Sequence, residues 1–156
     1  MIVNRTTYID QLVRSRGNGL IKIVTGIRRS GKSFLLKKLF CQHLLDDGVQ
    51  DDHIIIIDME SRKNKAFKDP DYLLDYIDNV MKDDNTYYII IDEVQEVNDF
   101  VEVLSTLSVT EGTDVYVTGS NSRFLSSDVV TEFRGRGDEI HVWPLSFKEY
   151  MSVYDG

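Results

Sequence analysis

The string Gly26-Ile27-Arg28-Arg29-Ser30-Gly31-Lys32-Ser33 fits the spacing G-x-x-x-x-G-K-[ST] at every fixed position. Each fixed residue answers a need of phosphate binding. Glycines let the backbone turn its N–H groups inward around phosphate oxygens, and a helix N-terminus behind them favours negative charge. Lys32 brings a point charge to the terminal phosphates, and the Ser33 hydroxyl is a magnesium ligand. The candidate nucleotide-binding set is therefore Gly26, Ile27, Arg28, Arg29, Ser30, Gly31, Lys32, Ser33 and the following Phe34. Arg28 and Arg29 occupy variable positions, where contact with phosphate and a surface role are equally open.

A second constellation lies downstream. Asp92 ends the apolar run Tyr87-Tyr88-Ile89-Ile90-Ile91, and Glu93 follows directly. A carboxylate at such a strand end can hold magnesium through its water shell, which makes Ser33 and Asp92 the candidate metal residues. An adjacent carboxylate can orient and deprotonate an attacking water, which makes Glu93, beside Lys32, the candidate catalytic residue. The guanine-reading string Asn-Lys-x-Asp is missing: Asn64-Lys65-Ala66-Phe67 lacks the Asp and comes early. ATP with Mg2+ is the expected ligand pair.

These residues need a scaffold, and apolar runs alternating with helical patterns predict a parallel sheet with helices on its faces. Leu20 to Thr25 reads as a first strand that runs into the glycine loop. Lys32 to Leu45 reads as a helix with an apolar stripe of Phe34, Leu35, Leu39 and Phe40. His53 to Asp58 is a second strand, apolar on both faces and expected to be buried. Asp69-Pro70 opens a helix as N-cap and first residue, with Tyr72, Leu73, Tyr76, Ile77 and Val80 on one face. After the third strand, Asn98 to Val109 is helical, and Asp114 to Thr118 is a fourth strand ending in Gly119-Ser120-Asn121. A short helix over 122–133 precedes Arg134-Gly135-Arg136-Gly137, Glu139 to Trp143 forms a fifth strand, and Ser146-Phe147-Lys148-Glu149 caps a last helix.

The bulk numbers bound the rest. A chain of 156 residues, 42% hydrophobic and 28% charged, is one soluble domain's worth. No apolar run approaches a membrane span, and one cysteine, Cys41, fits a reducing cytoplasm. The net charge of -8 argues against a general nucleic-acid coat. A local basic surface at Arg28-Arg29 or at Arg134 to Arg136 stays open. The acidic stretches at 46–52, 69–84 and 92–99 read as solvated faces. His43, His53 and His141 have no metal-ligand spacing and read as surface or strand-end residues.

The order of these segments resembles the additional-strand class of P-loop ATPases. More narrowly, it resembles bacterial and archaeal AAA-type ATPases of the kind described only as ATP-binding proteins. The narrower likeness is carried by Val24 to Ser33, Ile90-Ile91-Asp92-Glu93-Val94-Gln95, Val117 to Ser122, Arg134-Gly135-Arg136 and Pro144-Leu145-Ser146-Phe147-Lys148-Glu149-Tyr150. The resemblance implies a three-layer α/β fold with a five-stranded, mostly parallel sheet in the order 5-1-4-3-2. It implies a polar sensor of the terminal phosphate at Ser120 or, second, Asn121, although an ordinary turn accounts for both. It also implies an arginine that reaches a neighbouring subunit's site in a homo-oligomer. Arg136 is the better candidate and Arg134 the second, and paired surface arginines in a tight turn account for them equally. In such proteins the ATPase core precedes further domains, so residues 1–156 are expected to be the front part of a longer chain. The expected activity is magnesium-dependent ATP hydrolysis driving a conformational change. A nucleotide-gated switch with little turnover and a kinase acting on a small molecule are the alternatives.

Overall fold

The computed structural model describes residues 6–26, 31–119 and 137–142. The helix expected over 122–133, Trp143 and the helix expected from Ser146 lie outside them. Five strands, β1 (Ile21–Thr25), β2 (Ile54–Asp58), β3 (Tyr87–Asp92), β4 (Thr113–Thr118) and β5 (Gly137–His141), form one sheet in the order β2-β3-β4-β1-β5. All four ladders are parallel, so the expected order 5-1-4-3-2 holds and every strand ends on the same edge. β5 begins two residues before the Glu139 expected from the sequence.

Alternation along the strands builds two cores. Tyr87, Ile89, Ile91, Val115 and Val117 point to one face, where they meet Leu73 and Ile77 of α3 (Pro70–Val80) and Phe100, Val103, Leu104 and Leu107 of α4 (Phe100–Ser108). Tyr88, Ile90, Tyr116 and Val24 point to the other, where they meet Leu12 of α1 (Thr6–Arg14) and Leu35, Leu36, Phe40 and Leu44 of α2 (32–46). Each such side chain, fully buried, contributes about 1.5–3 kcal/mol of transfer free energy. The Asp69 carboxylate accepts the Asp71 N–H at 3.0 Å, the N-cap expected for α3.

Four expectations change. α1 is a helix with no counterpart among the sequence expectations. α2 winds as a π-helix over Leu35–Phe40, between α-helical Lys32–Phe34 and Cys41–Asp46, so its buried stripe is Leu35, Leu36, Phe40 and Leu44. Phe34 is 41% exposed instead of belonging to that stripe, and Leu39 is only partly buried. Tyr72 and Tyr76 of α3 are 50% and 41% exposed, leaning on Phe67 rather than joining Leu73 and Ile77 in the core. Among the described residues β2 is an edge strand, paired only with β3, and its Ile56 is 44% exposed where full burial was expected.

Cys41 packs in the core with its thiol donating to the Leu36 carbonyl, and burial pushes that thiol up to about 11. No helix among the described residues is long and apolar enough to cross a membrane.

Candidate nucleotide site at the strand tips

Parallel strands deliver their C-terminal residues to one edge, and open α/β sheets bind ligands there. β1 brings Thr25 and Gly26 to that edge, β3 brings Asp92, β4 brings Thr118 and β2 brings Asp58. Gly31, immediately before α2, has φ 93° and ψ 12°, a left-handed conformation that favours glycine. From there the chain enters α2 and places Lys32 and Ser33 on its first turn, under the helix N-terminus.

Lys32 is 5% exposed, and its Nζ donates to the Gly26 carbonyl at 2.9 Å across the mouth of the loop. Burial lowers its pKa, against the opposing pull of the Glu93, Asp92 and Glu60 carboxylates. Loss of water around the ammonium thus outweighs three nearby carboxylates. Ser33 Oγ donates to Asp92 Oδ2 at 3.0 Å. Two sequence-distant residues chosen as metal partners are therefore in direct contact. A hydroxyl and a carboxylate this close make the all-oxygen donor set that suits Mg2+, which takes one or two protein oxygens and keeps waters.

Asp92 is 1% exposed, and its other oxygen, Oδ1, accepts from Thr118 Oγ1 at 2.6 Å. The same Thr118 oxygen accepts the Glu93 N–H at 2.9 Å. One fully buried hydroxyl thus locks both members of the Asp-Glu pair to the neighbouring strand. Glu93 itself sits at φ 58° and ψ 55°, a left-handed conformation that is uncommon for a residue with a side chain. Strain of this kind costs about 1–3 kcal/mol and collects at functional sites. Its consequence here is to reverse the chain at the strand tip and bring the Glu93 carboxylate to the cleft. Gln95, two residues on and buried, donates from Nε2 to Glu93 Oε2, while its own Oε1 is buried with no hydrogen-bond partner among the described residues.

The cleft has a volume of about 820 Å3, within the range of ligand pockets, and is lined by Gly31, Lys32, Ser33, Phe34, Lys37, Lys38, Glu60 and Glu93. Gly26, Gly31, Lys32, Ser33, Phe34, Asp92 and Glu93 are thus gathered at one edge, and Phe34 lines the cleft. Ile27, Arg28, Arg29, Ser30, Ser120, Asn121, Arg134 and Arg136 lie outside the described residues.

Several residues at this edge were not singled out from the sequence. In the sequence Thr118 is a strand end within the matching string Val117 to Ser122, and Gln95 is only part of a matching string. Asp58 enters only as the end of the second strand, and Lys37 and Glu60 belong to no sequence motif. Lys37 Nζ is 3.0 Å from Asp58 Oδ2 and 3.3 Å from Asp92 Oδ2. Burial alone would lower the Lys37 pKa, but the hydrogen bond to Asp58 and the Asp92 charge outweigh it and raise it. Glu60 is raised by burial and by the Asp92, Glu93 and Asp58 carboxylates around it. The available signals were the four-residue spacing from Ser33 to Lys37 and the position of Asp58 at the end of an apolar strand, matching Asp92.

Known proteins share this framework. A family model described as an AAA domain matches residues 18–151. An uncharacterised Haemophilus influenzae protein is 34% identical over 151 residues, covering 96% of this chain and 38% of that protein. An uncharacterised protein of Methanocaldococcus jannaschii is 30% identical over 133 residues, 84% of this chain and 28% of its own length. The chain therefore spans well under half of these relatives. Among solved structures, Caenorhabditis elegans PCH-2 superposes with a TM-score of 0.63 at 16% identity, over 96% of this chain and 44% of that one. With the phosphate-loop sequence, the Asp-Glu strand and the sheet order, the chain belongs to the AAA domain family and is a nucleotide-binding P-loop domain of ATPase type.

Proposed function

We propose that the chain binds ATP with Mg2+ at the strand tips and hydrolyses it, and that turnover drives a conformational change in attached domains or partners. The observation that carries this reading is the contact of Ser33 Oγ with Asp92 Oδ2 at 3.0 Å, which joins the phosphate loop to the Asp-Glu strand.

In this reading the Lys32 ammonium leaves the Gly26 carbonyl for the terminal phosphates, and the low polarity around it strengthens the attraction. Ser33 and Asp92 would hold Mg2+, which when bound neutralises charge on the phosphate oxygens. The Glu93 carboxylate accepts a proton from the water that attacks the terminal phosphorus, and ADP leaves with the bridging oxygen. Gln95 fixes the direction of that carboxylate, and Thr118 fixes the backbone on which it stands. Ser120, with Asn121 second, senses the terminal phosphate. Arg136, with Arg134 second, reaches the site of a neighbouring copy in a homo-oligomer. Loop amides from Gly26 to Ser33, including those of Ile27, Arg28, Arg29 and Ser30, wrap the phosphates, with Phe34 at the cleft wall.

Thin-layer separation of the products of terminally labelled ATP tests this. Free phosphate is expected, at a specific rate that rises with protein concentration if the arginine acts in trans. Label on a small-molecule acceptor would establish a kinase instead, and bound ATP that never turns over would establish a switch.

A further inference from the structure

Lys37 lies one helical turn beyond Ser33, and both side chains reach the same oxygen. Ser33 Oγ is 3.0 Å from Asp92 Oδ2 and Lys37 Nζ is 3.3 Å from it. Lys37 also reaches sideways, 3.0 Å to Asp58 Oδ2. Asp58 and Asp92 are register partners at the tips of adjacent parallel strands, so two carboxylates stand side by side on the sheet edge. Glu60 adds a third, and oxygens of Asp58, Glu60 and Asp92 fall within 4.8 Å of one another. Three carboxylates that close repel strongly unless a cation sits beside them, and the Lys37 ammonium pairs with two of them, Asp58 and Asp92. Its side chain is 22% exposed, so it can withdraw toward solvent without leaving Asp58.

We infer that Lys37 is a positioning residue of the metal site, a tethered cation that competes with the divalent ion for Asp92 and so sets how tightly the site takes it. This rests on the reading of Ser33 and Asp92 as the metal's protein partners. Without a metal, Lys37 and Ser33 together hold Asp92 Oδ2 toward the loop. With Lys37 held by Asp58 alone, the Asp92 carboxylate would be left to hold the ion with Ser33. The device keeps a strongly acidic edge from capturing divalent ions before the nucleotide brings one. Unit charges about 4 Å apart in a half-buried setting interact strongly enough to change ion affinity by roughly tenfold or more.

Mn2+ binding to the nucleotide-free protein, read by electron paramagnetic resonance at neutral pH, tests the inference. Lys37→Met keeps the apolar stem and removes the charge, and is expected to bind Mn2+ about tenfold more tightly than the wild type. Lys37→Arg should stay within about twofold of it, since charge is what matters. Lys38→Met, on an exposed residue lining the same cleft, removes one positive charge as well and should also shift affinity by less than about twofold. If Lys37→Met lowers only the melting temperature, or if Lys38→Met tightens Mn2+ equally, the inference is overturned. Lys37→Gln serves as the neutral variant should the methionine fail to fold. Mn2+ binding by the wild type with no gain in the neutral variants sinks the role of Lys37 and leaves the metal reading standing. No Mn2+ binding by any variant, with or without a non-hydrolysable ATP analogue, sinks both.

Discussion

Lys22 and Lys32 lie at opposite ends of the same buried strand environment, and their surroundings differ in one respect. At the N-terminal end, Lys22 is fully buried, and its three N–H groups meet Asp114 as an ion pair, Asn18 Oδ1 at 3.1 Å and the Leu20 carbonyl at 2.9 Å. Asp114 in turn accepts from the Gly17 N–H at 3.0 Å and the Tyr116 hydroxyl at 2.7 Å. Beside them Arg16 holds Asp47 at 2.7 Å and the Tyr88 hydroxyl at 2.9 Å. The network is closed on itself and fastens the turn after α1 to the sheet. At the C-terminal end, Lys32 opens onto a cleft, Glu93 stands on strained backbone and Gln95 keeps a buried oxygen without a partner among the described residues. The ionic groups at the first end are enclosed by internal partners, whereas those at the second border a cleft, where the proposed ligand would meet them.

Cutting each end separately sharpens the contrast. Asp114→Ala leaves the Lys22 charge buried without its counter-ion and should lower stability by about 3–5 kcal/mol in a denaturant titration. The fraction still folded should bind nucleotide as before. Lys32→Ala should do the reverse, weakening ATP binding about a hundredfold, as loss of a charge-assisted contact implies, at little or no cost in stability. A large loss of stability in Lys32→Ala, or a large loss of affinity in folded Asp114→Ala, would erase the distinction. Gln95→Ala frees the Glu93 carboxylate to wander and should reduce kcat on the order of tenfold with KM nearly unchanged.

The smallest expected effect lies at the closed end. His53 is buried between Asp83, 2.8 Å from Nε2, and Asp52, 2.7 Å from Nδ1, and stacks on Tyr87. The Asp83 hydrogen bond, with help from Asp52 and against the effect of burial, raises the His53 pKa. The raised value means that the charged pair's contribution is fully present below the ordinary histidine pKa and fades as pH rises through the folded one. Asp83 is held below the ordinary carboxylate range, chiefly by the Asn85 backbone N–H, with His53 adding to it. Its own contribution is therefore lost as pH falls through that lowered value. Melting temperature should decline gently as pH rises through the upper limb, and His53→Gln should flatten that decline. An unchanged slope in the variant would assign it elsewhere.

Much of this was legible in the sequence because it is local. The phosphate loop, the Asp92-Glu93 step and the five strands are contiguous strings, and alternation of strand and helix fixes a parallel sheet with its site at the C-terminal edge. What escaped depends on non-local pairing. Lys22 and Asp114 are 92 positions apart, and nothing in either strand marks them as partners. Thr118 becomes a clamp for Asp92 only once β4 lies beside β3. Lys37 and Asp58 gain meaning only from the register that sets Asp58 against Asp92. The buried stripe of α2 was misplaced because π-helical winding over Leu35–Phe40 departs from the 3.6-residue period assumed in reading it. α1 has no counterpart in the sequence expectations although Tyr8, Ile9, Leu12 and Val13 recur at helical spacing, because nine residues fall short of the length at which such spacing identifies a helix.

Glu93→Gln tests the central claim most directly. The substitution keeps shape and hydrogen bonding but removes the base. Hydrolysis of labelled ATP should fall by about 10²–10⁴-fold while the protein retains bound ATP at wild-type affinity or better. A variant that hydrolyses ATP at the wild-type rate would contradict the assignment of the strand-tip carboxylate as the group that activates water.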